Sequence, residues 1–442
     1  MQLLKDYLNS HTEQEIHFSE IVAILKQYDE DKFSKAIKLI PKNLLGDIAL
    51  ELPDRYFDDM VESVAIHDLA MAVGELESDD QVSFMQELHE HDEEKASQVF
   101  KKLDHQDQKE ITLIQSYKED EAGSYMQTEL FTATEDEIVY DVIARFSRLK
   151  KSNELENVHN LFITTTNNRL IHSIDLDDLL TFNFNETFHD NIENSEFKYE
   201  PIVALDIDDI KDVVSSFQEY DLFVMPIITT DGILIGRITS DDIVDIINEH
   251  ATEQMYRLAG LNDDTEEDEE ILKSGKKRAS WLGLNLMTAI GASLIIGLFA
   301  ETLDSIVALA ILMPIVASMG GNAGTQTLTV VVRQLALGDI SSDDATRIIK
   351  KEVSISLLNG ILFAIIIGVI ASLWFNIENL GLVIALSMVI NLFMAGFFGA
   401  TIPLFLKKMD VDPAIGSTVI LTTVTDIVGF FSFLGLATLI LI

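Results

Sequence analysis

One carboxylate stands alone in the last stretch of the chain. Asp426 is the only charged residue between positions 414 and 442, and Thr422 and Thr418 precede it by four and eight residues, on the same face of a helix. Hydroxyls and carbonyls on that face can accept hydrogen bonds from the water shell of a cation, while the carboxylate supplies the charge. The competing reading is a buried carboxylate bonded to Thr422, Thr423 or Thr425. Asn322 and Pro314 fall in a second uncharged run. An amide in apolar surroundings needs a partner, and a proline frees a backbone carbonyl to face a cavity. A different pattern occupies residues 242–253. Asp242, Asp245, Glu249 and Glu253 recur three and four positions apart, where like charges on one helix face repel. Divalent ions bridging that face to other carboxylates would remove the repulsion.

The elements that carry these residues follow from where charge is missing. Of 73 acidic residues only ten lie after Arg278, with six Lys or Arg. Residues 281–300, 305–332, 353–377 and 379–406 carry no charge, and 414–442 carries only Asp426. A bilayer core about 30 Å thick takes roughly 20 apolar helical residues, so five membrane helices are expected, at about 279–300, 305–333, 352–375, 380–406 and 414–441. Pro314 and the Gly320–Gly324 stretch are expected to break or kink the second. Basic residues cluster before the first span (Lys273, Lys276, Lys277, Arg278), between the second and third (Arg333, Arg347, Lys350, Lys351) and between the fourth and fifth (Lys407, Lys408). Under the positive-inside rule all three face the cytoplasm, which puts the N-terminal half there and the C-terminus outside. The polar N-terminus reads as no signal peptide.

Before Ala279 the chain has 63 acids against 25 bases. That balance disfavours nucleic acid and anionic substrates and suits cations that bind carboxylate oxygens. Acids recur at most helix ends and again beside the membrane junction, as in Glu266–Glu270. No cysteine is present, so disulfides, thiolate metal sites and a Cys nucleophile are excluded. No phosphate loop or plausible catalytic metal set appears either, and an enzyme is not expected. Residues 1–120 show helical periodicity in short pieces, with Pro41 and Pro53 at boundaries, and suggest an all-α superhelical domain. From about Gly123 the pattern turns to strands at 129–133 and 161–165 around a helix at 138–148. A second copy follows, with strands at 201–205, 223–228 and 234–238 and helices at 210–220 and 240–247. These twin units, about 121–183 and 184–246, resemble a tandem of CBS domains, a module that often binds adenine nucleotides.

Taken together, the chain resembles the MgtE magnesium channels and transporters over essentially its whole length. The resemblance rests on residues 314–327 (PIVASMGGNAGTQT), 422–431 (TTVTDIVGFF), 117–123 (YKEDEAG) and 249–260 (EHATEQMYRLAG), in the family's order. It implies a homodimer in the plasma membrane, with Asp426, Thr422, Thr418, Asn322 and Pro314 at a pore on the dimer axis. It also implies Mg²⁺ as substrate and as regulatory ligand. A connecting plug helix within 247–276 would press on the pore, at the head of a membrane domain spanning 277–442, when cytoplasmic Mg²⁺ is high. The expected partners of Asp242, Asp245, Glu249 and Glu253 in holding that state are Asp79, Asp80, Asp92 and Glu93 in the helical domain and Asp221 in the CBS pair. In CBS units that bind ATP, a Ser or Thr precedes an Asp by three residues. Thr239 and Asp242 fit, whereas Asp175 and Asp178 hold these places in the first copy and His172 replaces its glycine. Mg²⁺ keeps much of its water, so outer-sphere acceptors suit its pore. Mn²⁺, Co²⁺ and Ni²⁺ remain the alternative substrates. An anion transporter is disfavoured because no basic residue lies inside any span, and a non-transporting sensor because the second and fifth spans carry polar residues.

Overall fold

The computed structural model describes residues 1–10, 16–152, 155, 157–261, 271–336, 340, 344–409, 411–414 and 416–442. The acidic run Glu266–Glu270 lies outside them. The chain divides into two units, Met1–Asn248 and Glu249–Ile442.

Among the described residues the first unit opens with nine short α-helices: α1 (Gln2–Ser10), α2 (Phe18–Leu25), α3 (Glu30–Ala36), α4 (Leu45–Leu50), α5 (Asp54–Ser63), α6 (Ile66–Gly74), α7 (Ser78–His91), α8 (Glu93–Phe100) and α9 (His105–Ile114). Helices this short gain little from propensity and depend on caps and packing. The side chains of Asp29, Asp92 and Asp104 each accept backbone N–H groups at the starts of α3, α8 and α9. Pro53 sits at the N-cap of α5. Each helix turns one apolar stripe inward, so that Leu25, Phe33, Ile48, Phe57, Leu69, Phe84 and Leu88 are fully buried. The rings of Phe57 and Phe84 meet edge-on at 5.3 Å.

Two small sheets follow. The first contains β1 (Thr132–Ala133), α10 (Val139–Lys151), β2 (Asn160–Thr164), β3 (Leu170–Asp175), α11 (Leu176–Leu179) and α12 (Phe188–Glu193). The second contains β4 (Ala204–Leu205), α13 (Ile210–Tyr220), β5 (Val224–Ile228) and β6 (Leu234–Thr239), with α14 (Ser240–Leu258) leading out of it. In each the first strand runs parallel to the second and the second antiparallel to the third, with a register shift at Ile163/Thr164 and at Ile227/Ile228. The copies join through the bridge between Arg169 and Ile233. The expected strands at 129–133 and 201–205 shrink to their last two residues. Gln127 bridges to Arg237 and the Glu129 carboxylate is drawn to Ser78, while Pro201 has no N–H for a ladder. The first copy has its own core around Phe131, Leu161, Ile174 and Phe188. The second shares one continuous core with the helical part, through Ile210, Val213, Phe217 and Ile238.

The second unit holds α15 (Ile271–Gly297), a short α16 (Ala300–Ser305), α17 (Val307–Ala336), α18 (Ala345–Phe375), α19 (Leu380–Lys408) and α20 (Ser417–Leu441). Among the described residues five of these are long and apolar enough to cross a bilayer. α19 is central: 56% of its most apolar window is buried, against 6% for α15. α17 runs through Pro314 as one helix, so the expected break does not occur. The proline removes one hydrogen bond, yet Leu309, Leu312 and Val316 are fully buried on either side of it and hold the helix against its neighbours.

Candidate functional site

The first turn of α7 faces the start of α14 within the first unit, and carboxylates crowd there. Asp79 and Asp80 stand in that first turn. Asp242 belongs to the turn that opens α14, where its Oδ2 accepts from the Thr239 backbone N at 3.0 Å and from Thr239 Oγ1 at 2.5 Å. This is the reciprocal half of a capping box. Gln127 stands between the two elements. Its Nε2 donates to Asp79 Oδ2 at 3.2 Å and to Asp242 Oδ2 at 3.3 Å. Ser78, fully buried, donates through its backbone N and Oγ to Glu129. Arg237, only 1% exposed, brings one cation to the cluster and lies 3.6 Å from Glu77.

One guanidinium does not balance this many acids out of water. Burial first, and then the charge of Asp242, push Asp79 well above the usual carboxylate range. Burial and Asp242 likewise raise Asp80 to about 6. Burial raises Glu77 to about 7 even though Arg237 opposes the shift, and Asp242 is raised by burial against its bonds to Thr239. The groups titrate together rather than singly. Asp79 Oδ1, Glu77 Oε1 and Gln127 Oε1 are buried without a hydrogen bond. Buried acceptors without a hydrogen bond, beside carboxylates raised by burial, are an arrangement that a cation would satisfy. Among the described residues no three acidic, histidine or cysteine side chains converge to hold a metal; the Gln127 amide bridges Asp79 and Asp242 instead.

The other acids expected here lie apart from the cluster. Asp92 caps α8, and Glu93 is exposed beside it. Asp221 closes α13 in a left-handed conformation and faces solvent. Asp245 is exposed but close enough for its charge to raise Asp80. Thr239 is fully buried and bonded to Asp242, so this pair faces the carboxylate cluster. In the first copy Asp175 accepts from Asn160.

In the second unit, Asp426 lies partly buried in α20. The neighbouring hydroxyls do not hold it. Thr422 donates to the carbonyls of Thr418 and Val419, Thr423 to Val419, and Thr425 to Leu421 and Thr422. Asp426 therefore accepts no hydrogen bond from a described residue, which counts against the purely structural reading. Asn322 is exposed on α17 and reaches only Ser318, at 3.4 Å. No hydrogen bond joins it to Asp426. Pro314 is exposed on the same helix. Thr418 Oγ1 donates to the carbonyl of Leu258, the last residue of α14, at 3.0 Å. Glu249 is exposed, whereas Glu253 pairs with Arg257, which also holds Asp412.

Several contributors escaped the sequence reading. Arg257 is the only Lys or Arg in α14, a signal that was there to find. Gln127 and Glu77 gave none, because their roles depend on which elements meet. Asn391, fully buried in α19, donates from Nδ2 to the Val316 carbonyl at 2.8 Å. A Cβ on Gly320 would stand 2.2 Å from it, and one on Gly429 2.9 Å. Gly320 is thus required for packing, while nothing lies within 4 Å of the same position on Gly321.

Three family models match in succession: an MgtE intracellular N domain at residues 16–120, CBS domains at 122–184 and 197–249, and MgtE, described as a divalent cation transporter, at 313–436. A protein of Bacillus subtilis (strain 168) named magnesium transporter MgtE is 26% identical, over 95% of this chain and 96% of that one. A protein of the same name from Thermus thermophilus is also 26% identical, over 97% and 94%. Among solved structures, the cytosolic domain of the Mg²⁺ channel MgtE in complex with ATP matches with a TM-score of 0.48 and 21% identity. That match covers 53% of this chain and 91% of that chain. With an N domain, a CBS pair and a membrane domain matched in this order, the chain is a member of the MgtE family.

Proposed function

We propose that the chain carries Mg²⁺ across the plasma membrane and that its first unit senses the same ion. Two copies meet on an axis lined by α17 and α20, and the paired Asp426 carboxylates bind hydrated Mg²⁺ there, with Thr422, Thr418 and Asn322 as outer-sphere acceptors. The observation that carries this reading is that Asp426 sits in an apolar helix and accepts no hydrogen bond from its threonine neighbours. A carboxylate at that depth costs roughly 2.5–3.5 kcal/mol to insert and is retained for a ligand. The basic clusters put the first unit in the cytoplasm.

The sensor is the cluster of Asp79, Asp80 and Asp242. Cytoplasmic Mg²⁺ displaces the shared protons and the Gln127 amide, and binding to one state alone shifts the population towards closure. Asp245, Glu249 and Glu253 extend the acidic face of α14, whose last residue already engages Thr418. Adenine nucleotide at the CBS pair is a second ligand in this reading; to reach Thr239 and Asp242 it would have to break their mutual hydrogen bond and compete with Mg²⁺ for Asp242.

The test is Mg²⁺ entry into proteoliposomes at low and high Mg²⁺ on the face bearing the first unit, comparing the intact protein with Asp426→Ala. Entry by the intact protein that is shut by Mg²⁺, and its loss in the variant, are the expected results. Normal entry by the variant would remove Asp426 from the pore. Equal entry of Mn²⁺, Co²⁺ and Ni²⁺ would widen the substrate to hydrated divalent ions.

A further inference from the structure

Glu352 is a carboxylate with no part in the pore. It lies two turns into α18, where the uncharged run begins, and is 6% exposed. Among the described residues it accepts no hydrogen bond, and its one ion pair is with the adjacent Lys351 at 4.0 Å. It borders a cavity of about 290 Å³ between α17 and α18, together with Gln326, Thr327, Ser356 and Asn359. α19 closes one side of it: a Cβ on Gly396 would stand 2.2 Å from Ser356 Oγ and 3.1 Å from the Glu352 carbonyl. Lys351 also borders a neighbouring cavity of about 280 Å³, with Gln334, Arg347 and Ile348. Among the described residues Arg347 is paired with Asp344, at 3.1 Å, and its side chain is 74% exposed.

Two adjoining cavities share Lys351 at the edge of an apolar helix, one bordered also by the Glu352 carboxylate and the other by the Arg347 guanidinium, and together they ask for a ligand with adjacent anion and cation. We propose that they seat the head group of an amine-bearing bilayer phospholipid. The phosphate lies between Arg347 and Lys351, and the ammonium donates to Glu352 and the amide oxygens of Gln326 and Asn359. The acyl chains leave along Val330 and Ile355, which line the same cavity. A divalent cation is disfavoured at Glu352 by the Lys351 ammonium beside it. A purely anionic head group would match the basic side and leave the buried carboxylate without a partner, which is costly.

The test uses delipidated full-length protein titrated with phosphatidylethanolamine, its N-methyl and N,N-dimethyl forms and phosphatidylcholine, with retained lipid read by native mass spectrometry. Each methyl group removes one donor, so retention should fall along the series, by roughly tenfold from first to last. Glu352→Gln should flatten the series while still retaining lipid, and Lys351→Ala should weaken every member. Equal retention along the series by the intact protein would overturn the proposal, and that measurement needs no variant to fold. So would stronger retention of phosphatidylglycerol than of phosphatidylethanolamine, which would mean an anion site alone. Displacement of phosphatidylethanolamine by millimolar Mg²⁺ with Lys351 intact would also overturn it, as a cation site.

Discussion

The two acidic centres of this protein solve opposite problems. Around Asp79 and Asp242 several carboxylates are packed together out of water, and burial raises each above the usual carboxylate range. Asp426 has no acidic neighbour in its own helix, and its adjacent hydroxyls turn to the backbone. A crowded cluster responds to small changes in ion or proton concentration, because each bound cation relieves several repulsions. A lone carboxylate has nothing to relieve, and a symmetric second copy is what would make a ligand set of it. The difference teaches that acidity alone does not identify a cation's role; the number of acids that share one desolvated volume does.

The sharpest way to break this contrast is Asp426→Ala. Mg²⁺ entry measured in proteoliposomes should fall roughly a hundredfold, as expected for losing a charge-assisted contact in an apolar setting, while the response of the first unit to Mg²⁺ stays intact. Next in size is Asp79→Asn combined with Asp242→Asn. Chelated full-length protein should melt about 4 °C higher, because buried repulsion is gone, and Mg²⁺ should no longer stabilise it or close it. A lower melting temperature in chelator would mean the acids are held by bonds rather than protons.

The third test is pH. These carboxylates have folded values above their unfolded ones, so their stabilising contribution is present below about pH 4 and is lost as pH rises through about 6 for Asp80 and about 7 for Glu77. The melting temperature of chelated protein should therefore fall between pH 5.5 and 8. If, as proposed, Mg²⁺ displaces protons from this cluster, the concentration that half-closes the protein should drop by roughly tenfold over the same range. A flat response would uncouple the sensor from protonation. The smallest effect is expected from Arg257→Gln, which cuts the pairing of Glu253 with Asp412 through a partly exposed guanidinium. About threefold more Mg²⁺ should then be needed for closure, read as flux against Mg²⁺ concentration.

Much of the architecture was legible, because lipid and β-sheets leave strong periodic marks. The uncharged runs announced five long helices, and the paired endings at Asp175–Asp178 and Thr239–Asp242 announced the repeated unit. The site was only half legible. Asp79, Asp80 and Asp242 could be named as acids, but Asp92 and Asp221 looked equally suitable. In the structure Asp92 caps α8 and Asp221 ends α13 in a left-handed conformation, positions set by local backbone geometry that acid counting ignores. Gln127 was invisible for another reason: it acts only because the chain leading into the first sheet is drawn across β6 to pair with Arg237. Pro314 misled in the opposite sense, since packing by Leu309, Leu312 and Val316 outweighs one missing hydrogen bond.

The Asn391 wedge has a mechanical consequence. A buried amide seated between Gly320 and Gly429, and bonded to the Val316 carbonyl, pins three helices at one level of the apolar layer. Sliding or rotating α17 or α20 past α19 would strand that amide in fat. The three helices are therefore expected to move as one block, and if the proposed pore lies between two copies it would widen by their separation. Cross-links between α17 and α19 should leave transport intact.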